Sequence, residues 1–252
     1  MSVVILAGEG DSTWILANAL QHAVPLQAVI VERGMGKLQF ARRRAAKLGW
    51  PTVLGQVLFI LYSKILKMLS RSRSRQIMAE HGLVAEPSSK LQVIRVASAN
   101  DASTISLLQR LGPRVVVVNG TGILSRRLLE AVNAVFINMH AGITPKYRGV
   151  HGGYWAMANG DAPHAGVTVH LVDAGIDTGG VLYQTQIAPG PRDNFCTYPL
   201  LQLSAGLPLM VRAVNDALAG VLKTVDPRLP SRLYHHPTLW GYWWTRLLRG
   251  VR

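Results

Sequence analysis

The chain has 252 residues, of which 49% are hydrophobic and 16% charged, with a single cysteine, Cys196, and a formal net charge of +14. This composition excludes a disordered or fibrous chain, and the length favours one domain with an appendage over two full domains. A lone cysteine excludes an internal disulfide and a cysteine-based metal site. The excess of Lys and Arg favours anionic partners such as phosphates, nucleic acid or lipid headgroups.

The first predicted element is a core strand over residues 3–7. No basic segment precedes this apolar run, so we expect a strand rather than a signal peptide, and with it a cytoplasmic location.

Gly8 and Gly10 follow this strand, and Ser12 opens a helical stretch over 12–21. In such an arrangement backbone N–H groups can approach a phosphate of the substrate. The stretch lacks the third glycine of a dinucleotide fingerprint and the lysine of a P-loop. A substrate anion site and a simple tight turn both remain open.

A basic segment follows the second predicted strand, at 27–31. Ten Lys or Arg residues and no Asp or Glu lie between Lys37 and Ala79. The apolar run at 53–69 looks too short to span a bilayer, which takes about 20 residues. Its polar residues recur at helical spacing and form a narrow stripe: Gln56, Ser63, Lys64, Lys67 and Arg71. We therefore expect a basic helical insert over 37–82, which either packs on the core or at a dimer contact as a hairpin, the interpretation we favour, or lies on a membrane surface.

The rest of the chain alternates strand and helix. Strands are predicted at 92–97, 114–118, 135–138, 167–172 and 180–187, and helices at 102–111 and 153–158. This order predicts an α/β fold, a doubly wound and mostly parallel sheet, in a domain over 1–190. The strands are expected to stop after Pro189, where a helix at about 198–218 opens a helical extension over 191–252.

The end of that extension is rich in aromatic and basic residues. They are Trp240, Tyr242, Trp243, Trp244, Arg246, Arg249 and Arg252. Aromatic rings favour the headgroup region of a bilayer, and basic residues favour anionic lipids. Together with the basic insert, this pattern leads us to expect a peripheral enzyme at the inner face of the cytoplasmic membrane.

Polar side chains stand where two of the predicted strands end. Asn138 and His140 follow the apolar run 135–137, and Asp177 lies in the loop after the strand at 167–172. Ligands of an open α/β sheet bind at the carboxyl ends of its strands. An amide, an imidazole and a carboxylate at this edge suit acyl transfer to an amine, because the amide and an imidazolium donate to the developing oxyanion. The carboxylate would hold the imidazole charged and help to manage the proton of the attacking nitrogen.

The pattern Asn138-x-His140, with Pro145 and then Asp177 inside GIDTGG, resembles the folate-dependent formyltransferase family. That family includes glycinamide ribonucleotide, methionyl-tRNA and nucleotide-sugar N-formyltransferases. The resemblance spans about residues 1–189, apart from the basic segment. It implies a Rossmann-like domain in which 10-formyltetrahydrofolate donates a formyl group to an amine, with Asn138, His140 and Asp177 as catalytic residues. It also implies a loop that holds the pterin through backbone groups, formed by Asn119, Gly120, Thr121, Gly122, Ile123 and Leu124.

Differences between this sequence and individual members of the family limit the classes of acceptor that we expect. Thr121 and Gly122 replace the bulky and basic residues of the glycinamide ribonucleotide enzymes, and the residues after Pro189 leave no room for the C-terminal barrel of the methionyl-tRNA enzymes. The resemblance therefore favours an amino sugar, linked to a nucleotide or a lipid, or another small phosphorylated amine, and it disfavours nucleic acid. A glycinamide ribonucleotide enzyme, a formyltetrahydrofolate hydrolase and a non-catalytic membrane-surface protein remain alternatives, and a homodimer remains open.

Three residues near the predicted site carry charge. Asp173 is expected to fix its loop by hydrogen bonds and is grouped with the cofactor-binding residues. Lys146 and Arg148 either clamp an anionic acceptor or are simply solvated, and we favour the clamp because their loop is at the site.

The other residues near the site have weaker signals. His151 and His170 are grouped with the substrate-binding residues, although His170 equally suits a hydrogen-bonded strand histidine. Tyr154 and Trp155 stand at a spacing typical of core residues, and Cys196 is expected to be inert.

Overall fold

The computed structural model describes residues 2–33 and 48–252. Within them the chain forms strands β1 (Val3–Gly8), β2 (Leu26–Glu32), β3 (Val93–Val96), β4 (Val115–Asn119), β5 (Val135–His140), β6 (Arg148–Gly149), β7 (Gly166–Leu171), β8 (Val181–Gln186) and β9 (Leu233–Tyr234). Seven of these strands make one sheet in the order β3-β2-β1-β4-β5-β7-β8, and β6 pairs with β9 in a separate ribbon. The predicted α/β sheet is confirmed.

Strand β5 marks the change of direction in the sheet. The pairs from β3 to β5 are all parallel, whereas β7 runs antiparallel to β5 and β8 antiparallel to β7. The antiparallel register sets Asn138 of β5 directly opposite His170 of β7. Directly opposed residues of neighbouring strands have close Cβ atoms, so this register brings an amide and an imidazole together.

Helices cover both faces of the sheet. They are α1 (Asp11–Leu20), α2 (Trp50–Leu69), α3 (Arg71–Glu80), α4 (Ala102–Leu111), α5 (Arg126–Ala131), α6 (Gly152–Ala158), α7 (Tyr198–Ala219) and α8 (Leu239–Arg249), with a 3-10 turn at Ala162–His164. Helices α1 and α7 bury Leu16 and Val214 on one face, and α4 and α5 bury Leu108 and Leu128 on the other. Apolar side chains are therefore buried on both faces of the sheet, as a doubly wound fold requires.

The inserted segment is two successive helices rather than a hairpin. Only Ser70 separates α2 from α3, and its hydroxyl donates to the Leu66 carbonyl oxygen at 2.7 Å. Helix α2 packs against α8, and α3 packs against α7. The first part of the predicted insert, residues 37–47, lies outside the described residues.

The length of α2 corrects one expectation. The helix begins at Trp50 and runs for 20 residues, so by length and composition it is long and apolar enough to cross a membrane. The apolar run at 53–69 appeared too short because Trp50 and Pro51, which start the helix, were left out of it. Its buried residues, among them Phe59 and Leu66, pack in an aromatic cluster with Tyr154, Phe195 and Tyr242.

The expectation that strands stop after Pro189 is wrong in a small respect. The two residues of β9 pair with β6, Arg148 opposite Leu233 and Gly149 opposite Tyr234. A two-residue strand is too short to produce a periodic sequence signal. Because β6 belongs to the loop after β5, this pairing fixes the loop next to the polar strand ends.

Candidate functional site

His140, at the end of β5, is buried, with 6% of the residue exposed. Its Nε2 lies 2.7 Å from the Tyr147 carbonyl oxygen. A carbonyl oxygen only accepts hydrogen bonds, so Nε2 carries a proton and donates it. A Cβ on Gly142 would lie 2.5 Å from that carbonyl oxygen and 2.8 Å from Nε2. Glycine at this position therefore makes room for the bond that fixes the ring.

The second ring nitrogen of His140 faces a carboxylate. His140 Nδ1 lies 3.4 Å from Asp177 Oδ2, and the Gly149 N–H donates to the same oxygen at 2.9 Å. Asp177 has a φ of 50°, in the left-handed region that non-glycine residues seldom adopt. Such backbone conformations cluster at active sites.

His170 supports the amide. Its Nδ1 donates to the Leu171 carbonyl oxygen at 2.7 Å, which leaves Nε2 as an acceptor for Asn138 Nδ2 at 3.1 Å. His170 Nε2 also lies 3.6 Å from Asp177 Oδ1. Since an amide has two N–H groups, Asn138 keeps a second donor when the first is bound to His170. The sequence left the role of His170 open, and the structure gives it contacts to two of the predicted catalytic residues.

The protonation states differ from the prediction. Burial lowers the pKa of His140 and outweighs the Asp177 carboxylate, which acts in the opposite direction. Burial opposes ionisation of Asp177, but the neighbouring His170 and His140 rings and the Gly149 N–H together lower the pKa of Asp177. The expectation that Asp177 holds the imidazole charged is therefore wrong. A neutral His140 beside an ionised Asp177 presents a lone pair on Nδ1 that can accept a proton.

This cluster lines a cavity of about 1070 Å³. Ligand pockets typically measure about 300–1,000 Å³, so there is room for more than one small molecule. Asn138, His140, His170 and Asp177 line it, together with the loop at 118–124 and parts of α1, α2, α3 and α7. The predicted catalytic residues and the predicted pterin loop therefore share one cavity.

One side of the cavity is cationic, which the sequence reasoning missed. Lys64, Lys67, Arg71 and Arg75 from α2 and α3 line it. Lys67 lies 3.5 Å from Asp11, but both side chains are at least 70% exposed, so this pair is weak. The first three cations belong to the polar stripe that the sequence shows at helical spacing, and Arg75 follows four residues after Arg71. The sequence did not show that this stripe lines the cavity.

The predicted pterin loop is held by a buried carboxylate, also missed from the sequence. Glu32, at the end of β2, is 6% exposed, and its two oxygens accept from Gly122 N at 2.7 Å and Ala99 N at 2.8 Å. A Cβ on Gly8 would lie 2.4 Å from the Gly120 carbonyl oxygen. Gly8 thus allows the end of β1 to approach this loop. This close approach explains the glycine without a bound anion.

The remaining loop residues have distinct places. Asn119 Nδ2 donates to Ser12 Oγ at 3.2 Å and to Thr13 Oγ1 at 3.1 Å, which ties β4 to the start of α1. Ser12 lines the cavity, whereas Gly8 and Gly10 do not. All of residues 119–124 line it, including Thr121 and Gly122, with Ile123 61% exposed and Leu124 almost fully buried.

The structure does not bring Lys146 and Arg148 to the cavity. Lys146 Nζ lies 2.7 Å from Asp161 Oδ2, and Arg148 Nη1 donates to the Ile176 carbonyl oxygen at 3.2 Å. Burial opposes ionisation of Asp161, but hydrogen bonds from Lys146, His164 and Tyr147 lower its pKa to about 2. An ionised Asp161 thus neutralises the charge of Lys146, one of the two cations assigned from the sequence to an anion clamp.

Other predicted residues are near the cavity. Asp173 lines it and accepts from Gly175 N at 3.0 Å and Thr178 Oγ1 at 2.7 Å, which fixes its loop as expected. His151 also lines it, with Nε2 2.8 Å from His236 Nδ1.

Tyr154 is a core residue, as predicted, and Trp155 packs beside it. Cys196 lines the cavity, but burial raises the pKa of its thiol to about 11, so the thiolate is scarce at neutral pH. Among residues 2–33 and 48–252, no group of three or more His, Cys, Asp or Glu side chains is arranged to bind a metal ion.

Comparison with protein families gives a match to "Formyl transferase" over residues 54–198. A methionyl-tRNA formyltransferase of Syntrophus aciditrophicus is 29% identical over 146 residues, which is 58% of this chain and 46% of that protein. The chain therefore spans less than half the length of this relative.

Solved structures share the fold. A sugar N-formyltransferase from Shewanella sp. superposes with a TM-score of 0.57 at 14% identity, covering 93% of this chain and 76% of the other. Glycinamide ribonucleotide transformylase 1 from Symbiobacterium toebii gives a TM-score of 0.56 at 18% identity, with coverage of 93% and 94%. An N-formyltransferase from Helicobacter canadensis, in complex with folinic acid and dTDP-3-aminofucose, gives 0.51 at 17% identity, with coverage of 93% and 71%.

Proposed function

The chain belongs to the formyl transferase family, and from this premise we propose that it transfers a formyl group from 10-formyltetrahydrofolate to a primary amine. The acceptor is a small phosphorylated molecule, and an amino sugar linked to a nucleotide or a lipid fits best. The observation that carries the proposal is that Asn138, His140 and Asp177 line the same cavity as four Lys and Arg side chains of α2 and α3.

The residues around the cluster fit a folate. The loop at 119–124 offers backbone groups for a pterin, and Val118, Ile123, Val172 and Ile176 line the same cavity with apolar surface. A flat ring system with several donors and acceptors needs this combination. When bound there, 10-formyltetrahydrofolate supplies the activated formyl carbon.

The cluster supplies the two functions that acyl transfer to an amine requires. The free N–H of Asn138 stabilises the oxyanion that develops as the amine nitrogen bonds to the formyl carbon. His140 Nδ1 takes the proton of that nitrogen, and Asp177, 3.4 Å away, stabilises the imidazolium that results. The bond from the formyl carbon to the donor nitrogen then breaks, and that nitrogen receives the proton. The Tyr147 carbonyl keeps Nδ1 available throughout by holding the other ring proton.

The cationic side of the cavity supports an anionic acceptor. Lys64, Lys67, Arg71 and Arg75 provide four positive charges, and Lys67 is only weakly paired, with the exposed Asp11. Phosphate groups are recognised by such clusters of Lys and Arg. The comparison proteins are named for different acceptors, and the Helicobacter canadensis complex, with a folate and a nucleotide-linked amino sugar, supports this pair of ligands for the present cavity.

A screen of phosphorylated amines with 10-formyltetrahydrofolate tests the proposal. Mass spectrometry should detect addition of one formyl group to at least one amino sugar linked to a nucleotide or to a lipid carrier, and the Asn138→Ala variant should lose this product. Release of formate without any acceptor would instead indicate a hydrolase. Absence of both products with every amine would contradict the proposal.

The cationic side has its own test. Changing Lys67 and Arg71 together to Ala should raise the KM for the acceptor roughly tenfold or more while leaving kcat and the KM for the folate nearly unchanged. Arg110→Ala, on α4 and away from the cavity, is the matched control.

A further inference from the structure

Helix α2 is apolar on two sides, of which one is buried and the other is exposed. Its outward side carries a regular apolar stripe of Trp50, Leu54, Val57, Leu61, Ile65 and Met68, each between 43% and 67% exposed. Its inward side includes the amide of Gln56, which is 4% exposed. A helix of a soluble domain normally buries its apolar stripe. Packing among residues 2–33 and 48–252 does not account for the outward stripe.

Helix α8 extends the same surface. Trp240, Trp243, Trp244, Leu247 and Leu248 are between 38% and 75% exposed. The Trp240 ring covers Gly55, where a Cβ would lie 2.3 Å from it, and the rings of Trp243 and Tyr62 lie 5.6 Å apart. Trp240 and Trp243 thus contact α2 while remaining exposed, and they join the two apolar sets. We call the exposed apolar residues of α2 and α8 the α2–α8 surface.

The surroundings of the α2–α8 surface are cationic. Residues 48–79 and 227–252 contain no Asp or Glu. They carry Lys64, Lys67, Arg71, Arg73, Arg75, Arg228, Arg232, Arg246, Arg249 and Arg252. Exposed apolar patches of this kind mark sites of interaction with a protein or a membrane, and the charge selects an anionic partner.

Two other occupants fit less well than a bilayer. A second copy of the chain would bring two cationic surfaces together, and like charges oppose that contact. A bilayer-spanning α2 would have to leave the domain, losing the bond from Gln56 to the His236 carbonyl oxygen at 2.8 Å and the burial of Phe59. A helix with one buried side, one apolar side and flanking cations has the features of an interfacial helix.

We propose that the α2–α8 surface docks on an anionic bilayer, with α2 and α8 in the plane of the membrane and their apolar side chains at the boundary between headgroups and acyl chains. Trp240, Trp243 and Trp244 supply the aromatic rings that favour this depth, and the flanking cations attract anionic headgroups.

The docked orientation brings the cavity to the headgroups. Met68 belongs to the apolar stripe and also lines the cavity, next to Lys64 and Lys67. If formyl transfer occurs as proposed above, an amine on a lipid carrier could reach the cavity without leaving the bilayer. Docking itself does not depend on that activity.

Co-sedimentation with lipid vesicles tests docking. The wild-type chain should pellet with phosphatidylcholine vesicles that contain phosphatidylglycerol at low salt, and it should be released at high salt. Brominated lipids should quench tryptophan fluorescence in the bound state. Changing Leu61 and Ile65 together to Ser should weaken binding roughly tenfold or more, because less apolar area enters the bilayer.

The matched control is Val84→Ser with Val221→Ser, two comparably exposed apolar residues outside α2 and α8. The control pair should bind vesicles like the wild type, and thermal unfolding should show both double variants folded. Formyl transfer measured without vesicles should survive in both, so loss of docking is distinguishable from loss of activity.

Three results would overturn the proposal. One is failure of the wild type to bind anionic vesicles at low salt, and another is equal binding by the Leu61 and Ile65 variant. The third is self-association of the wild type without lipid that this variant abolishes while vesicle binding is absent, which would assign the α2–α8 surface to a second copy.

Discussion

The cluster of Asn138, His140, His170 and Asp177 and the α2–α8 surface both depart from the usual distribution of polar and apolar groups, but in opposite ways. At the cluster, His140 and His170 are almost fully buried, and at the surface Trp244 and Leu247 are at least two-thirds exposed. Buried polar groups and large exposed apolar patches are the informative departures in a folded protein. The stability of the fold explains neither region, so we assign a function to each.

The two regions also differ in what holds them. Each imidazole of the cluster donates to a backbone carbonyl, His140 to Tyr147 and His170 to Leu171, so the geometry is fixed from within. The α2–α8 surface is held in place by packing on the buried side of its helices, where the Phe59 ring lies 4.7 Å from that of Phe195 and 5.1 Å from that of Tyr242. A change in the cluster should therefore affect chemistry, and a change behind the surface should affect stability.

The largest expected effect is a loss of turnover in the Asn138→Ala variant. Asn138→Ala removes the proposed oxyanion donor and should lower kcat about a hundredfold to a thousandfold, with little change in thermal unfolding. Asn133→Ala, in an exposed turn, is the control. Near wild-type turnover in a folded Asn138→Ala variant would remove the cluster from the mechanism.

Two positions on α2 sharpen the comparison between buried and exposed apolar groups. Phe59→Ala should lower the free energy of unfolding by about 3 kcal/mol because it opens a cavity among aromatic rings. Leu61→Ala, two residues away and 53% exposed, should change it by no more than about 0.5 kcal/mol. Chemical denaturation measures both. Equal losses would mean that the outward stripe of α2 is covered in solution.

Asp177→Asn separates charge from shape within the cluster. Asp177 raises the pKa of His140, so its loss should lower that pKa further below the ordinary value. His140 must be neutral to accept a proton, so activity falls as pH drops through its pKa. The acid limb of the kcat/KM profile should therefore move to lower pH, while the maximal rate falls because the imidazolium loses its partner. An unmoved acid limb would make Asp177 a structural residue.

A small change in stability is also expected for Gln56→Leu. Its Nε2 donates to the His236 carbonyl oxygen, but its buried Oε1 has no hydrogen-bond partner within the described part of the chain. Gln56→Leu loses one hydrogen bond and removes the unsatisfied oxygen, so the two effects should nearly cancel, within about 1 kcal/mol. A strong loss of stability on denaturation would show that the amide has a further partner.

The sequence revealed the elements more readily than their contacts. The strands and helices of the sheet followed from alternating apolar runs, and Asn138, His140 and Asp177 from a motif. The protonation of His140 could not be foreseen, because it depends on burial and on the carbonyl of Tyr147, which no side-chain pattern encodes.

Charge was the least predictable property. Lys146 was expected to bind an anion and is paired with Asp161. Arg71, which was assigned to a polar stripe, and Arg75, which was seen only as part of a basic segment, line the cavity. Arg73, between them, makes a two-point contact with the buried Asp193, at 2.8 and 3.2 Å. A list of charges in sequence does not tell which carboxylate will be opposite each one after folding.

The contact between Gly55 and Trp240 has a consequence for synthesis of the chain. Helix α2 leaves the ribosome well before α8, and the intervening residues take on the order of ten seconds to translate at about 5–20 residues per second. Throughout that interval Gly55 and Phe59 lack their partners on α8, so the side of α2 that packs on α8 is exposed as well. The nascent chain thus presents a segment with the length and hydropathy of a membrane span to targeting factors and chaperones, before the finished domain covers one side of it.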